Sequence, residues 1–198
     1  MPKIVDHELR RKELGAAVWR VILQDGLGEV SIRSVAAEAG WSSGALRHYF
    51  STRAELLAFA CDLVIDQVTT RISNMRHTGN VREAVRDVLL QTMPADATRH
   101  IEASIAFAFL ALGLGDSELA RIQRIHFTKM HELCVQQIQR LDAEYVLAIH
   151  ATLDTAAHRL HALVDGLTLH VLAGHLSPED MIVQLDAHLD ELTAQPRR

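Results

Sequence analysis

The stretch SIRSVAAEAGWSSGALRHYF, residues 31–50, decides the fold. Ser31 is a good helix N-cap, and Ile32, Val35, Ala36 and Ala39 then fall on one face of a helix running to about residue 39. Gly40 supplies the left-handed turn position. Ser42 caps a second short helix reaching about Phe50, in which Leu46 and Phe50 face inward together with Trp41. Ala36 stands four residues before the turn, where two crossing helices touch and only a small side chain fits. The spacing predicts a helix-turn-helix with an apolar lock on its inner side. The residues left outside are Ser43, Gly44, Ala45, Arg47 and His48, all small or rich in donors. Such a surface suits a helix entering the major groove, whose base edges present acceptors and whose walls are phosphates.

Outward from this stretch the chain reads as all-α, with about nine helices. A first helix spans about residues 6–25, with Leu9, Leu14, Ala17, Val18, Val21 and Ile22 as its stripe and Gly26 and Gly28 as its stop. A fourth begins at STRAELL, capped by Ser51 or Thr52, and fades near residues 76–80. Further helices are expected over about 81–93, 96–112, 116–141, 145–174 and from SPED (177–180) to Leu192. The chain therefore divides into a three-helix head, residues 1–53, and a helical body, residues 54–198, which the fourth helix joins.

Composition agrees. Of 198 residues, 48% are apolar, enough for a large core, and only four are proline. Cys61 and Cys134 both sit in apolar helical patterns and read as core, not as a disulfide or redox pair. Nothing near the start resembles a secretory signal, and the longest apolar run, residues 105–114, is half of what a membrane span needs. A cytoplasmic protein without membrane contact is expected. The net charge of −5 is unevenly spread. Residues 1–53 hold eight basic against six acidic residues, and the rest hold 12 against 19. A mildly basic head on an acidic body presents one end to a polyanion.

Residues 10–57 resemble the N-terminal domain of the TetR family of transcriptional regulators. The stretches AAVWRVILQDGL, SIRSVAAEAGWSSGALRHYF and STRAELL carry the resemblance, with Ser31, Ala36, Gly40, Gly44, Tyr49, Phe50 and Arg53 on the family pattern. Leu27, Trp41 and Arg47 depart from it, and Arg47 bears on which DNA sequence is read. The C-terminal stretch from Leu160 to Leu192 is similar to the closing helices of the choline-repressor-like branch. The resemblance implies a ligand-responsive DNA-binding regulator, most often a repressor, that binds a palindromic operator of double-stranded DNA as a homodimer and is released by a small-molecule effector. No cofactor is implied.

The expected DNA-contacting residues are Ser31, Arg33, Ser42, Ser43, Gly44, Ala45, Arg47, His48, Tyr49 and Arg53. Residues 160–176 are apolar nearly all round, so that helix must be buried, in part against a second copy. The expected interface residues are Leu163, Leu167, Leu169, Leu172, Leu176, Leu185 and Leu189. An effector cavity is expected to draw on Met93, Phe107, Phe127 and Met130, with His126 or His170 as polar anchors. Asp154, His158, His161 and Asp165 share one helical face at a spacing that suits a divalent metal. Lying opposite the stripe of Leu160, Leu167 and Val171, that face reads more simply as solvated, so no metal ligand is assigned. An all-helical metal-dependent enzyme or a protein-binding helical adaptor are the alternatives. Against the enzyme, the chain has no His-Glu-x-x-His, phosphate loop or nucleophile constellation.

Overall fold

The computed structural model describes residues 3–76, 79–115, 117–148, 152–193 and 195–196. Among them are nine α-helices: α1 (Lys3–Asp25), α2 (Ile32–Glu38), α3 (Ser43–Arg47), α4 (Arg53–Ser73), α5 (Val81–Leu90), α6 (Ala97–Gly113), α7 (Ser117–Glu144), α8 (Leu153–Leu172) and α9 (Pro178–Leu192). No helix among them is long and apolar enough to cross a membrane.

The chain forms two compact units, residues 1–67 with 104–120 and residues 68–103 with 121–198. The boundaries between the units fall within α4, α6 and α7.

The first unit is built on α1 and α4. Leu14, Ala17, Val18 and Val21 of α1 are buried, as are Leu56, Leu57 and Ala60 of α4. Gly26, at φ +86°, ends α1, and a single 3-10 turn over Leu27–Glu29 leads to α2. At Gly15, inside α1, a Cβ would stand 2.7 Å from Leu63 Cδ1, so the tip of that leucine would have to shift.

In the second unit, α5, α7, α8 and α9 share one core that includes Val85, Leu89, Cys134, Ile138, Leu160, Val164, Met181, Leu185 and Leu189. Two arginines of α5 hold α9 from outside that core. Arg82 Nη1 and Arg86 Nε donate to Asp186 Oδ1 at 2.8 and 2.7 Å. Arg71, at the end of α4, donates twice to the Glu102 carboxylate of α6, at 2.9 and 2.7 Å, and once to the Gln91 carbonyl. Glu102 is only 3% exposed, so this pair compensates a buried charge.

One helix starts later than its sequence suggests. Residues 145–148 and Thr152 are not helical: Tyr145 and Val146 pair antiparallel with Pro196 and Gln195. Aromatic and β-branched residues favour extended backbone there, and Thr152 then caps α8 by accepting from Thr155 N. The residue expected to open α7, Asp116, lies outside the described residues.

Candidate nucleic-acid interface and sensor body

The surface around α3 is assembled by local rules that can be followed atom by atom. Ser31 caps α2 in a capping box with Ser34, whose hydroxyl also donates to the Glu29 carbonyl at 2.7 Å. α2 ends in a Schellman motif: Trp41 N donates to Ala36 O at 2.8 Å and Gly40 N to Ala37 O at 3.2 Å. Gly40 occupies the left-handed position at φ +71°. Ser42 then caps α3 by accepting from Ala45 N at 3.1 Å. Gly40 thus performs the turn its position in the sequence predicts.

The inner face of α3 is held by Leu46, which is fully buried, as are Val35 and Ala36 of α2. Burying one leucine contributes about 1.5–3 kcal/mol. The Phe50 ring packs on Phe59 of α4 at 5.0 Å between centroids. Trp41, Ile32 and Ala39 are only half-buried. Trp41 meets the Tyr49 ring edge-on at 5.5 Å, and Arg10 Nη1 donates to the Tyr49 hydroxyl at 3.2 Å. α3 is five residues long, shorter than the expected run to Phe50. Tyr49 and Phe50 continue it only as a turn, both donating to the Leu46 carbonyl.

Arg33, Ser42, Ser43, Gly44, Arg47 and His48 are exposed, while Ser31, Ala45 and Tyr49 are half-buried. Arg47, His48 and Tyr49 therefore sit beside a rigid, small-residue start of α3. Besides Tyr49, three members of the expected set already hold partners within the protein. The Ser31 and Ser42 hydroxyls cap helices. Arg53 Nε donates to Val30 O at 2.9 Å and Nη2 to Leu27 O at 3.2 Å. Arg53 is thus a clamp between the start of α4 and the approach to α2. The part played by Arg10 went unread in the sequence, because its partner lies 39 residues away.

The expected dimer residues separate into two groups. Leu169 is 51% exposed, and Leu163, Leu172 and Leu176 are half-buried. Leu185 and Leu189 are fully buried in the chain's own core, and Leu167 nearly so. Those three side chains pack into the protomer's own core, Leu167 from α8 and Leu185 and Leu189 from α9. The outward apolar side chain of α9 is Val183, 59% exposed.

The expected effector residues are also dispersed. Met93 is buried in the second unit's core, against which Met130 packs. Phe127 is 40% exposed and its ring lies 5.7 Å from that of His161. His126 is half-buried. His170 is exposed at the end of α8, edge-on to His175 at 5.2 Å, so it stands apart from Phe127. Phe107 is half-buried and belongs to the first unit. On the histidine face, His161 is 8% exposed, with Nε2 3.3 Å from Asp165. That corrects the expectation of a wholly solvated face: α7 packs across it.

Comparison with known proteins fits this geometry. Residues 15–59 match the family model for bacterial regulatory proteins of the tetR family, and residues 81–194 match that for the C-terminal part of BetI-type transcriptional repressors. The HTH-type transcriptional regulator PksA of Bacillus subtilis is 42% identical over 177 residues, covering 87% of this chain and 83% of that protein. The HTH-type transcriptional regulator BetI of Stenotrophomonas maltophilia is 26% identical over 171 residues, covering 85% and 84%. The crystal structure of a transcriptional regulator from Rhodococcus superposes with a TM-score of 0.77 at 28% identity, covering 94% of this chain and 97% of that one. The helix-turn-helix around Gly40, the nine-helix order and these matches together make the chain a member of the TetR family of transcriptional regulators.

Proposed function

We propose that this protein is a cytoplasmic homodimeric repressor that binds a palindromic operator through α3 and is released by a small-molecule effector held in its helical body. Its role is binding and not catalysis. The division of labour is residues 1–53 for DNA and 54–198 for effector and dimer contacts. The observation that carries this reading is the exposure of Arg47 and His48 on a helix whose opposite side, Leu46, is fully buried. Arg47 suits a guanine edge or a phosphate, His48 and Tyr49 suit bases or phosphates, and Gly44 with Ala45 lets the backbone approach. Ser43 and Arg33 flank that contact. Ser31, Ser42 and Arg53 act mainly by fixing the two helices. A five-residue reader discriminates weakly alone, and a two-fold pair matching half-sites about 34–36 Å apart doubles its contacts. The exposed Leu169 and Val183, with the half-buried Leu163, Leu172 and Leu176, supply apolar surface for the second copy.

The experiment is anisotropy titration of the duplex lying upstream of the protein's own gene. Arg47→Ala with Tyr49→Ala is expected to weaken binding by at least about tenfold, since one base contact discriminates by about 1–3 kcal/mol. Unchanged affinity for a duplex that the wild type binds specifically overturns the assignment of α3.

A further inference from the structure

α7 and α8 bring together three side chains that no single helix reveals. His131 Nε2 lies 3.2 Å from Asp154 Oδ1, and His158 Nε2 lies 3.7 Å from Asp154 Oδ2. One ligand atom from each residue falls within 4.8 Å of the others. The His131 and His158 rings stack at 3.8 Å between centroids with 16° between planes. Asp154 and His158 are one helical turn apart in the first turns of α8, whose start is fixed by the Thr152 cap, so they share a face.

Two imidazole nitrogens and one carboxylate oxygen form the donor set of borderline divalent cations. Magnesium and calcium call for oxygen ligands instead. The other ring nitrogen of His131, Nδ1, is buried and has no hydrogen-bond partner among the described residues. As an ion pair alone the trio is weak. The Asp154 and His158 side chains are 68% and 64% exposed, and pairs at such sites contribute little. The same exposure lets both side chains rotate to the ~2.0–2.2 Å that a metal bond requires, with half-buried His131 as the fixed point.

We propose that His131, Asp154 and His158 form a site for a divalent transition-metal ion of the zinc class, with a fourth position open to water. The ion would join α7 to α8 within the second unit. This assignment is independent of how α3 reads DNA.

The test uses the full-length protein without an affinity tag. Cobalt(II) is titrated and followed by visible absorption, and zinc retained after dialysis is counted by elemental analysis. The wild type is expected to hold about one ion per protomer and to melt at higher temperature with zinc present. The double variant Asp154→Asn, His158→Gln alters exposed positions only and is expected to fold as the wild type does by circular dichroism. Its affinity should fall by at least about a hundredfold, and its zinc-dependent melting shift should vanish. A wild type that retains no zinc at micromolar metal, or a variant that binds as the wild type does, overturns the site. The remaining histidines of the chain then account for any uptake.

Discussion

Arg53 Nε donates to the carbonyl oxygen of Val30 at 2.9 Å, which ties the first residue of α4 to the residue just before the cap of α2. A guanidinium so engaged positions the reading head more than it neutralises a phosphate. Arg53→Ala is expected to lower stability by about 1 kcal/mol and weaken operator binding. The salt dependence separates the two roles. A positioning residue leaves the slope of log affinity against log salt unchanged, whereas loss of a phosphate contact lowers it by about one. Anisotropy titrations at several salt concentrations make the measurement.

Leu169 and Val183 are the test of the dimer surface, because their side chains are spare. Leu169→Asp or Val183→Asp is expected to shift sedimentation toward the monomer while leaving the melting of the monomer's own core near that of the wild type. Leu185→Ala is the contrasting change. It opens a cavity in the protomer and should cost about 2–5 kcal/mol in denaturant unfolding. A wild type that sediments as a monomer at all concentrations removes the interface.

Arg71 supports a carboxylate that is almost wholly buried. Arg71→Ala strands Glu102, and the expected loss is about 2–3 kcal/mol, below the figure for fully buried pairs because Arg71 is one-third exposed. Arg71→Ala combined with Glu102→Gln should recover part of that loss in urea denaturation. No recovery means the arginine acts through Gln91 instead.

His188 makes stability depend on pH. Burial holds its imidazole below the usual range, against the opposing pull of Glu191. The unfolded chain then takes up the proton first as pH falls. The stabilising contribution is present above about pH 6.5 and is lost as pH drops through the lower native value. Melting temperature should decline from pH 7 to 5.5, and His188→Gln should flatten part of that decline. A variant with the wild-type slope excludes His188 as its source.

Cys61 and Cys134 should be silent to thiol reagents in the native state. Burial pushes both thiols up to about 12, with Asp62 adding to the effect at Cys61 and Asp165 at Cys134. Two thiols should appear only on unfolding, as a stoichiometric colour with a disulfide reagent.

The head was largely legible in the sequence, because its instructions are local. Ser31, Gly40 and Ser42 act on backbone within a few residues of themselves, and Leu46 and Ala36 follow helical spacing. The body was legible as helices but not as surfaces. Leu185 and Leu169 look alike in an apolar helix pair, and only packing against α5 decides that the first is inside and the second outside. His131 escaped for a related reason: it lies 23 residues before Asp154, on a different helix. Tyr145 and Val146 look helical in sequence because their extended pairing partners come some fifty residues later.

Five residues are too few for an autonomous helix, since nucleation alone outweighs what one turn of hydrogen bonds returns. α3 thus exists only while the cap, the Schellman turn and the buried leucine are all in place. Its shape is settled before any duplex arrives, so association carries little ordering entropy at the point of contact. Warming should therefore abolish recognition together with the cooperative melting of the head, with no earlier, separate loss of the reading helix.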